Sequence, residues 1–298
     1  MNFLPLSFKM HKSSLAIAAA LMMSIATPLI FPQKCQANIV MQNGQNVVFL
    51  GDSITAFGWA KPAGYVRLVV AGLASSGVAI NPIPEGVGGN TSNDMIARLD
   101  ADVLSKKPDW VLVSCGVNDA FAVRKVSVEQ YESDMTSIVD QCQAAHINVV
   151  LLTPTPVAED WTSDLNVRLG VFHDFLRQLA AQKGCVFCDV NAAMIDAIKN
   201  KPKAAYTFTV DNVHMDPAGD FVMASAILRS LGLTGDQIIK AQNQWMDISA
   251  GVPVEVTVPM TPRQWFALQD TAAVKNQSVP DYLAEQYKTV VPVVGGGQ

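Results

Sequence analysis

Short apolar segments alternate with longer segments of helical periodicity along most of this 298-residue chain. The apolar segments are nearly continuous, as expected for strands that are buried on both faces of a sheet. The alternation predicts an α/β fold in which a five-stranded parallel sheet carries helices on both faces. The predicted strands are 47–50, 80–84, 110–114, 149–153 and 185–190, and the main helices are 65–75, 93–104, 128–145, 165–182 and 217–231.

The first 37 residues form a separate region, which we interpret as a signal peptide at 1–37. A basic start that includes Lys9 and Lys12 precedes a short apolar stretch at 15–26, and a small-residue cleavage pattern follows at 35–37. This stretch is shorter than the roughly 20 apolar residues of a membrane span, so we expect no stable membrane anchor. An uncleaved amphipathic anchor is the alternative. The sequence therefore predicts export, either to a periplasm or to the extracellular space.

The charge balance argues against nucleic acid as a partner. The chain has 21 Lys and Arg against 26 Asp and Glu, a formal net charge of −5, and cleavage after Ala37 would remove only lysines from this balance. Phosphate binding requires the opposite sign. An acidic exported protein is better suited to a neutral or small substrate.

The four cysteines beyond the signal region are interpreted as structural thiols that are mostly buried. Cys185 and Cys188 lie three residues apart in a predicted strand. Side chains at that spacing point to opposite faces, about 10 Å apart, which is further than a disulfide spans. Because no second cysteine pair or His-x-His spacing completes a ligand set, we expect no metal site.

From about Gly232 the alternation stops, and we divide the mature chain into a main domain at 38–232 and a C-terminal extension at 233–298. The extension reads as an alternating strand at 252–260 followed by helices at 261–273 and 278–287. This order weakly resembles a ribbon-helix-helix motif, but three basic against four acidic residues from 252 onward argue against DNA binding. We expect either a homodimer formed by strand pairing or a helical lid or packing extension.

Polar residues follow the predicted strands at the sheet edge where open parallel sheets bind their ligands. Ser53 follows the first strand, a glycine-rich turn with Gly89 follows the second, and Asn118 follows the third. Asp211 and His214 lie shortly before the last helix of the main domain. We therefore expect these five residues to meet at one edge.

The residue types suit ester hydrolysis. A serine hydroxyl needs a neighbouring base, for which His214 is the candidate, with Asp211 as the carboxylate that orients the imidazole. The backbone N–H groups of Ser53 and Gly89 and the side-chain amide of Asn118 are the candidate oxyanion donors. Each residue also has a structural alternative: Ser53 as a helix cap, Asn118 as a turn former and His214 as a loop histidine.

Two tryptophans lie in loops after predicted strands. Trp59 follows the first strand and Trp161 follows the fourth. We expect both to form walls of the substrate pocket, with a place in the core as the alternative. Asp52 and Asp119, which neighbour the candidate site residues, are interpreted as structural loop acids.

Four sequence blocks resemble the SGNH (GDSL) hydrolase family and occur in its order: GDSIT with Ser53, GVGGNT with Gly89, GVND with Asn118, and DNVH from Asp211 to His214. The resemblance covers roughly 46–231. It implies a flavodoxin-like three-layer sandwich and ester hydrolysis without metal or cofactor. It also favours an exported esterase that removes small acyl groups, above all acetyl, from carbohydrates. The alternatives are a lysophospholipase or thioesterase of the same family, or a non-hydrolytic glycan-binding scaffold.

Overall fold

The computed structural model describes residues 38–201, 207–248 and 260–290. The expected signal peptide at 1–37 and nearly all of the strand expected at 252–260 lie outside these ranges. Export and self-association by strand pairing therefore stay predictions.

A parallel sheet of five strands forms the centre of the main unit, in the order β2-β1-β3-β4-β5. Gly51 at the end of β1 pairs with Gly86 on one side and Ser114 on the other, so three strand ends align at one edge. The predicted α/β fold with a five-stranded parallel sheet is confirmed. The strands are β1 (Asn46–Gly51), β2 (Asn81–Gly86), β3 (Trp110–Ser114), β4 (Asn148–Leu152) and β5 (Val186–Cys188).

Helices occupy most of the segments between and after the strands. The main unit contains α1 (Ser53–Ala60), α2 (Tyr65–Ser75), α3 (Ser92–Ala97), α4 (Leu99–Asp102), α5 (Val117–Ala120), α6 (Val128–Ala144), α7 (Asp164–Lys183), α8 (Val190–Lys199), α9 (Pro217–Ser230) and α10 (Gly235–Trp245). Two short 3-10 turns lie at Leu104–Lys106 and Ala122–Arg124. The C-terminal part contributes α11 (Pro262–Val274) and α12 (Val279–Val290).

Hydrophobic side chains of the sheet divide between two cores. Val47 and Phe49 of β1 belong to one buried cluster, while Val48 and Leu50 belong to the other. Successive strand residues point to opposite faces, so each face of the sheet is covered by its own layer of helices. This arrangement explains why β1, β3 and β4 are almost continuously apolar, whereas the edge strand β2 is only partly buried. It is the three-layer architecture that the resemblance implied.

Two expected elements differ from the structure. The helix expected at 93–104 is divided into α3, α4 and a 3-10 turn, with Arg98 at the junction in a non-helical conformation. The strand expected at 185–190 ends at Cys188, because Asp189 caps α8 by accepting a hydrogen bond from Ala192 N–H. The helix is thus interrupted at Arg98, and the strand ends where the cap of α8 begins, earlier than hydrophobicity suggests.

The main compact unit extends to Ala250, past the boundary that we expected at 232. The reason is α10, whose Ile238 and Trp245 are buried in the core cluster on one face of the sheet. The second unit begins at Gly251 and holds α11 and α12. Within its described residues Ala272 is buried, whereas Trp265 and Phe266 are exposed. No helix in the described ranges is both long and apolar enough to cross a membrane.

The four cysteines in the part of the chain that the structure describes are free thiols. Cys115, Cys142 and Cys188 are buried and Cys185 is partly buried, as the sequence predicts. Burial raises the pKa of Cys188 to about 12, which disfavours the reactive thiolate. These thiols therefore act as small apolar side chains.

Candidate active site

Ser53 lies at the first position of α1, where β1 turns sharply into the helix. The cap is Asp52, whose Oδ1 accepts a hydrogen bond of 2.8 Å from Ile54 N–H, so the hydroxyl of Ser53 is not used for capping. β2 approaches this turn closely, since a Cβ on Gly86 would lie 2.2 Å from Ala56 N. Glycine at this position thus lets β2 end directly beside the turn that carries Ser53.

Asp211 and His214 belong to one tight turn before α9. Asp211 Oδ1 accepts hydrogen bonds from Val213 N–H at 3.0 Å and from His214 N–H at 2.7 Å. Asn212 between them has a left-handed φ of 72°, which Asn tolerates better than most residues. The turn is closed by a 2.8 Å bond from Val210 N–H to His214 O. The spacing of three residues therefore places the Asp211 carboxylate next to Nδ1 of the His214 imidazole.

The three side chains form a continuous hydrogen-bonded series. His214 Nδ1 lies 2.6 Å from Asp211 Oδ2, and His214 Nε2 lies 2.7 Å from Ser53 Oγ. An ionised carboxylate only accepts, so the Nδ1 proton points to Asp211. In the neutral imidazole Nε2 is then the acceptor for the Ser53 hydroxyl proton. This geometry is the one that general-base activation of a serine requires.

Asp211 is held in its charged form. Partial burial opposes ionisation, but hydrogen bonds from the His214 side chain and from the backbone N–H groups of His214 and Val213 outweigh it and lower the pKa of Asp211. The Asp211 side chain is 50% exposed, which also keeps the carboxylate hydrated. Asp211 therefore carries its negative charge at neutral pH.

The glycine-rich turn after β2 carries Gly89 and the start of α5 carries Asn118, the two residues that we expect to donate with Ser53 to an oxyanion. Gly89 has a left-handed φ of 77°, and a Cβ on Gly88 would lie 3.9 Å from Ser53 Cβ. Asn118 Nδ2 donates to Asn90 O at 3.0 Å and to Asp52 Oδ2 at 3.3 Å. All five residues predicted from the sequence thus lie in loops or in the first turn of a helix at the carboxyl edge of the sheet. His214 contacts both Ser53 and Asp211.

Two arginines that the sequence did not single out donate hydrogen bonds to the glycine-rich turn after β2. Arg98 donates to Asn90 Oδ1 at 2.7 Å, to Gly51 O at 2.9 Å and to Glu85 O at 3.0 Å. It therefore links the ends of β1 and β2 to the turn. Arg124 donates to Gly89 O. An arginine in a helical pattern carries no sequence signal for such contacts, because its carbonyl partners lie on other elements.

Buried carboxylates lie behind the nucleophile turn. Burial is the main reason that the pKa of Asp52 is raised to about 7. Asp119 is also buried, and its Oδ1 accepts from Ser92 N–H at 2.9 Å and from Ser92 Oγ–H at 2.6 Å. Both acids join loops to each other, in line with their interpretation as structural residues. Among the described residues, no group of three or more His, Cys, Asp or Glu side chains is placed to hold a metal ion.

The ring contacts of the two tryptophans in the described residues are with cationic side chains. Trp59 packs on the hydrophobic core, with the Arg67 guanidinium 4.3 Å from its ring centroid. Trp161 is 37% exposed, with Lys199 Nζ 5.1 Å from its ring centroid. Their role as pocket walls stays a prediction. The aromatic ring that contacts His214 is instead that of Phe57.

A parallel α/β sheet with a Ser–His–Asp series at its carboxyl edge defines the class of serine-dependent hydrolases. Residues 49–220 match the GDSL-like lipase/acylhydrolase family. The chain belongs to this family and is a carboxylic ester hydrolase.

Similar proteins cover the main unit. The chain is 29% identical over 210 residues to an acetylxylan esterase of Geobacillus stearothermophilus, spanning 64% of this chain and 95% of that one. A solved structure of a variant of Axe2, an acetyl-xylooligosaccharide esterase from a Geobacillus, superposes with a TM-score of 0.60 at 29% identity, covering 66% of this chain and 98% of that one. LAE5, an alpha/beta hydrolase from the metagenome of Lake Arreo, superposes with a TM-score of 0.59 at 27% identity. The match covers 65% of this chain and 98% of that one.

Proposed function

We propose that this protein is an exported esterase that removes small acyl groups, above all acetyl, from carbohydrates. The observation that carries the catalytic part is the series of 2.6 Å and 2.7 Å contacts from Asp211 through His214 to Ser53. The acetylxylan esterase relative and its solved structures support the acetyl group and the carbohydrate. The N-terminal segment of the sequence supports export.

Acylation begins at Ser53. Its Oγ attacks the ester carbonyl carbon while its proton passes to His214 Nε2, and Asp211 stabilises the resulting imidazolium through Nδ1–H. When the tetrahedral intermediate collapses, the bond to the alcohol oxygen breaks and Nε2 returns the proton to that oxygen. Water then repeats the same steps on the acyl-enzyme and releases the carboxylic acid.

The developing oxyanion needs fixed donors. The N–H groups of Ser53 and Gly89 and the Nδ2 amide of Asn118 fill this role. The amide nitrogen Nδ2 donates to Asn90 O at 3.0 Å and to Asp52 Oδ2 at 3.3 Å. The contact to Asp52 is the longer and weaker one, so we expect it to be the one that a substrate oxyanion replaces.

The test is hydrolysis of p-nitrophenyl acetate, butyrate and octanoate by the protein and by Ser53→Ala. We expect Ser53→Ala to lower kcat by about 10³-fold or more, as loss of a triad nucleophile does. The control is Ser75→Ala at the end of α2, where the hydroxyl bonds to Gly72 O within its own helix. It should leave kcat unchanged.

Activity that survives in Ser53→Ala would contradict the mechanism. A rate that increases towards octanoate would contradict the preference for small acyl groups and favour a lipid ester. The exported protein should begin at Asn38, and a secreted or periplasmic chain that still begins at Met1 would contradict cleavage.

A further inference from the structure

Phe57 is a large apolar side chain that stays exposed beside the nucleophile. It lies four residues after Ser53 on α1, so the two side chains share a helix face. Its ring centroid is 4.8 Å from that of His214 in an edge-to-face arrangement, yet Phe57 is 43% exposed. The ring therefore contacts the base and also presents apolar surface to solvent.

The path of the proton determines where the leaving alcohol lies. His214 Nε2 must return the Ser53 proton to the alcohol oxygen, which requires that oxygen within hydrogen-bond distance of Nε2. The carbonyl oxygen points instead to the donors on Gly89 and Asn118. The alcohol part of the ester is thus next to the imidazole, and Phe57 is the aromatic ring that contacts this imidazole.

Polar groups lie close to the Phe57 ring. Lys61 Nζ lies over one face of the ring, 5.5 Å from its centroid, and donates to Met215 O at 2.8 Å. The Asp211 side chain beside His214 is 50% exposed. An apolar ring bordered by polar groups matches a sugar, which has an apolar C–H face and hydroxyl groups around its rim. A lipid chain packed on the ring would instead remove water from the Asp211 carboxylate, half of whose side chain is exposed.

We propose that Phe57 is a specificity-determining residue of the leaving-alcohol site and binds the C–H face of the pyranose ring that carries the ester. The electron-rich face of an aromatic ring attracts the weakly positive hydrogens of such a face. This inference rests on the proposed carbohydrate esterase function. Because the contact binds the alcohol without taking part in bond making, its loss acts mainly on KM.

The experiment compares two acetate esters with the full-length protein. Methyl 2,3,4-tri-O-acetyl-β-D-xylopyranoside has a pyranose as its alcohol, and ethyl acetate has an alcohol without a ring. We expect Phe57→Ala to lower kcat/KM for the xylopyranoside about tenfold, mainly through KM, and that for ethyl acetate less than about twofold. Phe57→Tyr, which keeps an aromatic ring, should have the wild-type kcat/KM for the xylopyranoside. Ile239→Ala is the matched control, since Ile239 is 44% exposed on α10 and belongs to no part of the site.

Three results would overturn the inference. An equal fall for both esters would mean that Phe57 only supports His214. An unchanged kcat/KM for the xylopyranoside would mean that the ring does not contact the alcohol; in both cases the carbohydrate esterase function stands. A protein that hydrolyses ethyl acetate but not the xylopyranoside contradicts the proposed function itself, and the inference with it.

Discussion

Asp211 differs in its surroundings from Asp52 and Asp119, the two acids beside Ser53 and Asn118 in the sequence. The Asp211 side chain is 50% exposed; partial burial opposes its ionisation, but hydrogen bonds from His214 and Val213 lower its pKa. Asp52 and Asp119 are 2% and 0% exposed, and burial raises the pKa of both. The comparison shows that hydrogen bonds favour the ionised form of Asp211, whereas burial makes Asp52 and Asp119 harder to ionise.

We expect Asp211 to act on catalysis and the buried acids Asp52 and Asp119 to act on stability. The charge of Asp211 stabilises His214 when it becomes an imidazolium, and loss of this charge leaves no buried donor without a partner. Asp52 and Asp119 satisfy buried donors of Ile54 and Ser92, so their removal leaves those donors without partners. The following changes test this separation, from the largest expected effect to the smallest.

Asp211→Asn should have the largest effect, and on activity alone. Asn retains an Oδ1 for the backbone N–H groups of the turn but replaces the second oxygen by an NH₂ group, which cannot accept from His214 Nδ1. We expect kcat to fall by about 10³- to 10⁴-fold with little change in Tm. Steady-state kinetics and thermal unfolding check this. A kcat within tenfold of the wild type would remove Asp211 from the mechanism.

Asp119→Ala should act mainly on stability. Ser92 N–H and Oγ–H lose their buried acceptor, so we expect the free energy of unfolding to fall by about 2 kcal/mol. Asp119→Asn, which keeps an acceptor oxygen, should lose less. Urea unfolding measures both, and kcat of the folded protein should fall far less than in Asp211→Asn. A large loss of kcat at unchanged stability would break the comparison.

Asp52 should make the protein less stable as the pH rises. Its pKa is about 7 in the folded state against an ordinary value of 3.8, so between these values the folded protein keeps a proton that the unfolded chain has released. Stability then falls by up to about 1.4 kcal/mol per pH unit from pH 4 to pH 7 and levels off above it. Asp220, also with a pKa of about 7, adds in the same direction.

The measurement is urea unfolding of the protein and of Asp52→Asn at pH 5, 6, 7 and 8. Because Asn cannot titrate, the variant should lose less stability than the wild type between pH 5 and pH 7. An identical pH dependence in both proteins would show that Asp52 ionises in the folded state as easily as in the unfolded chain.

Much of the architecture follows from local patterns. The apolar strands and the amphipathic helices α2, α6 and α7 lie within a residue or two of their predicted positions, because burial of a continuous apolar segment or stripe determines each. The residues of α10 fall in the predicted extension because the strand–helix alternation ends at Gly232, and the sequence pattern predicts no helix there. The place of α10 in the main unit depends on Ile238 and Trp245 meeting the core, which the alternation does not encode.

The site shows the same division. By itself the sequence determined the turn from Asp211 to His214 and the order of the strand ends that carry Ser53, Gly89 and Asn118, since these depend on hydrogen bonds within a few residues and on regular alternation. Only the tertiary structure decided that Phe57, and not a tryptophan, contacts His214. It also decided that Arg98 joins Gly51 O and Glu85 O, 47 and 13 residues away in the chain. Such contacts depend on the packing of whole elements, and no local pattern in the sequence records that packing.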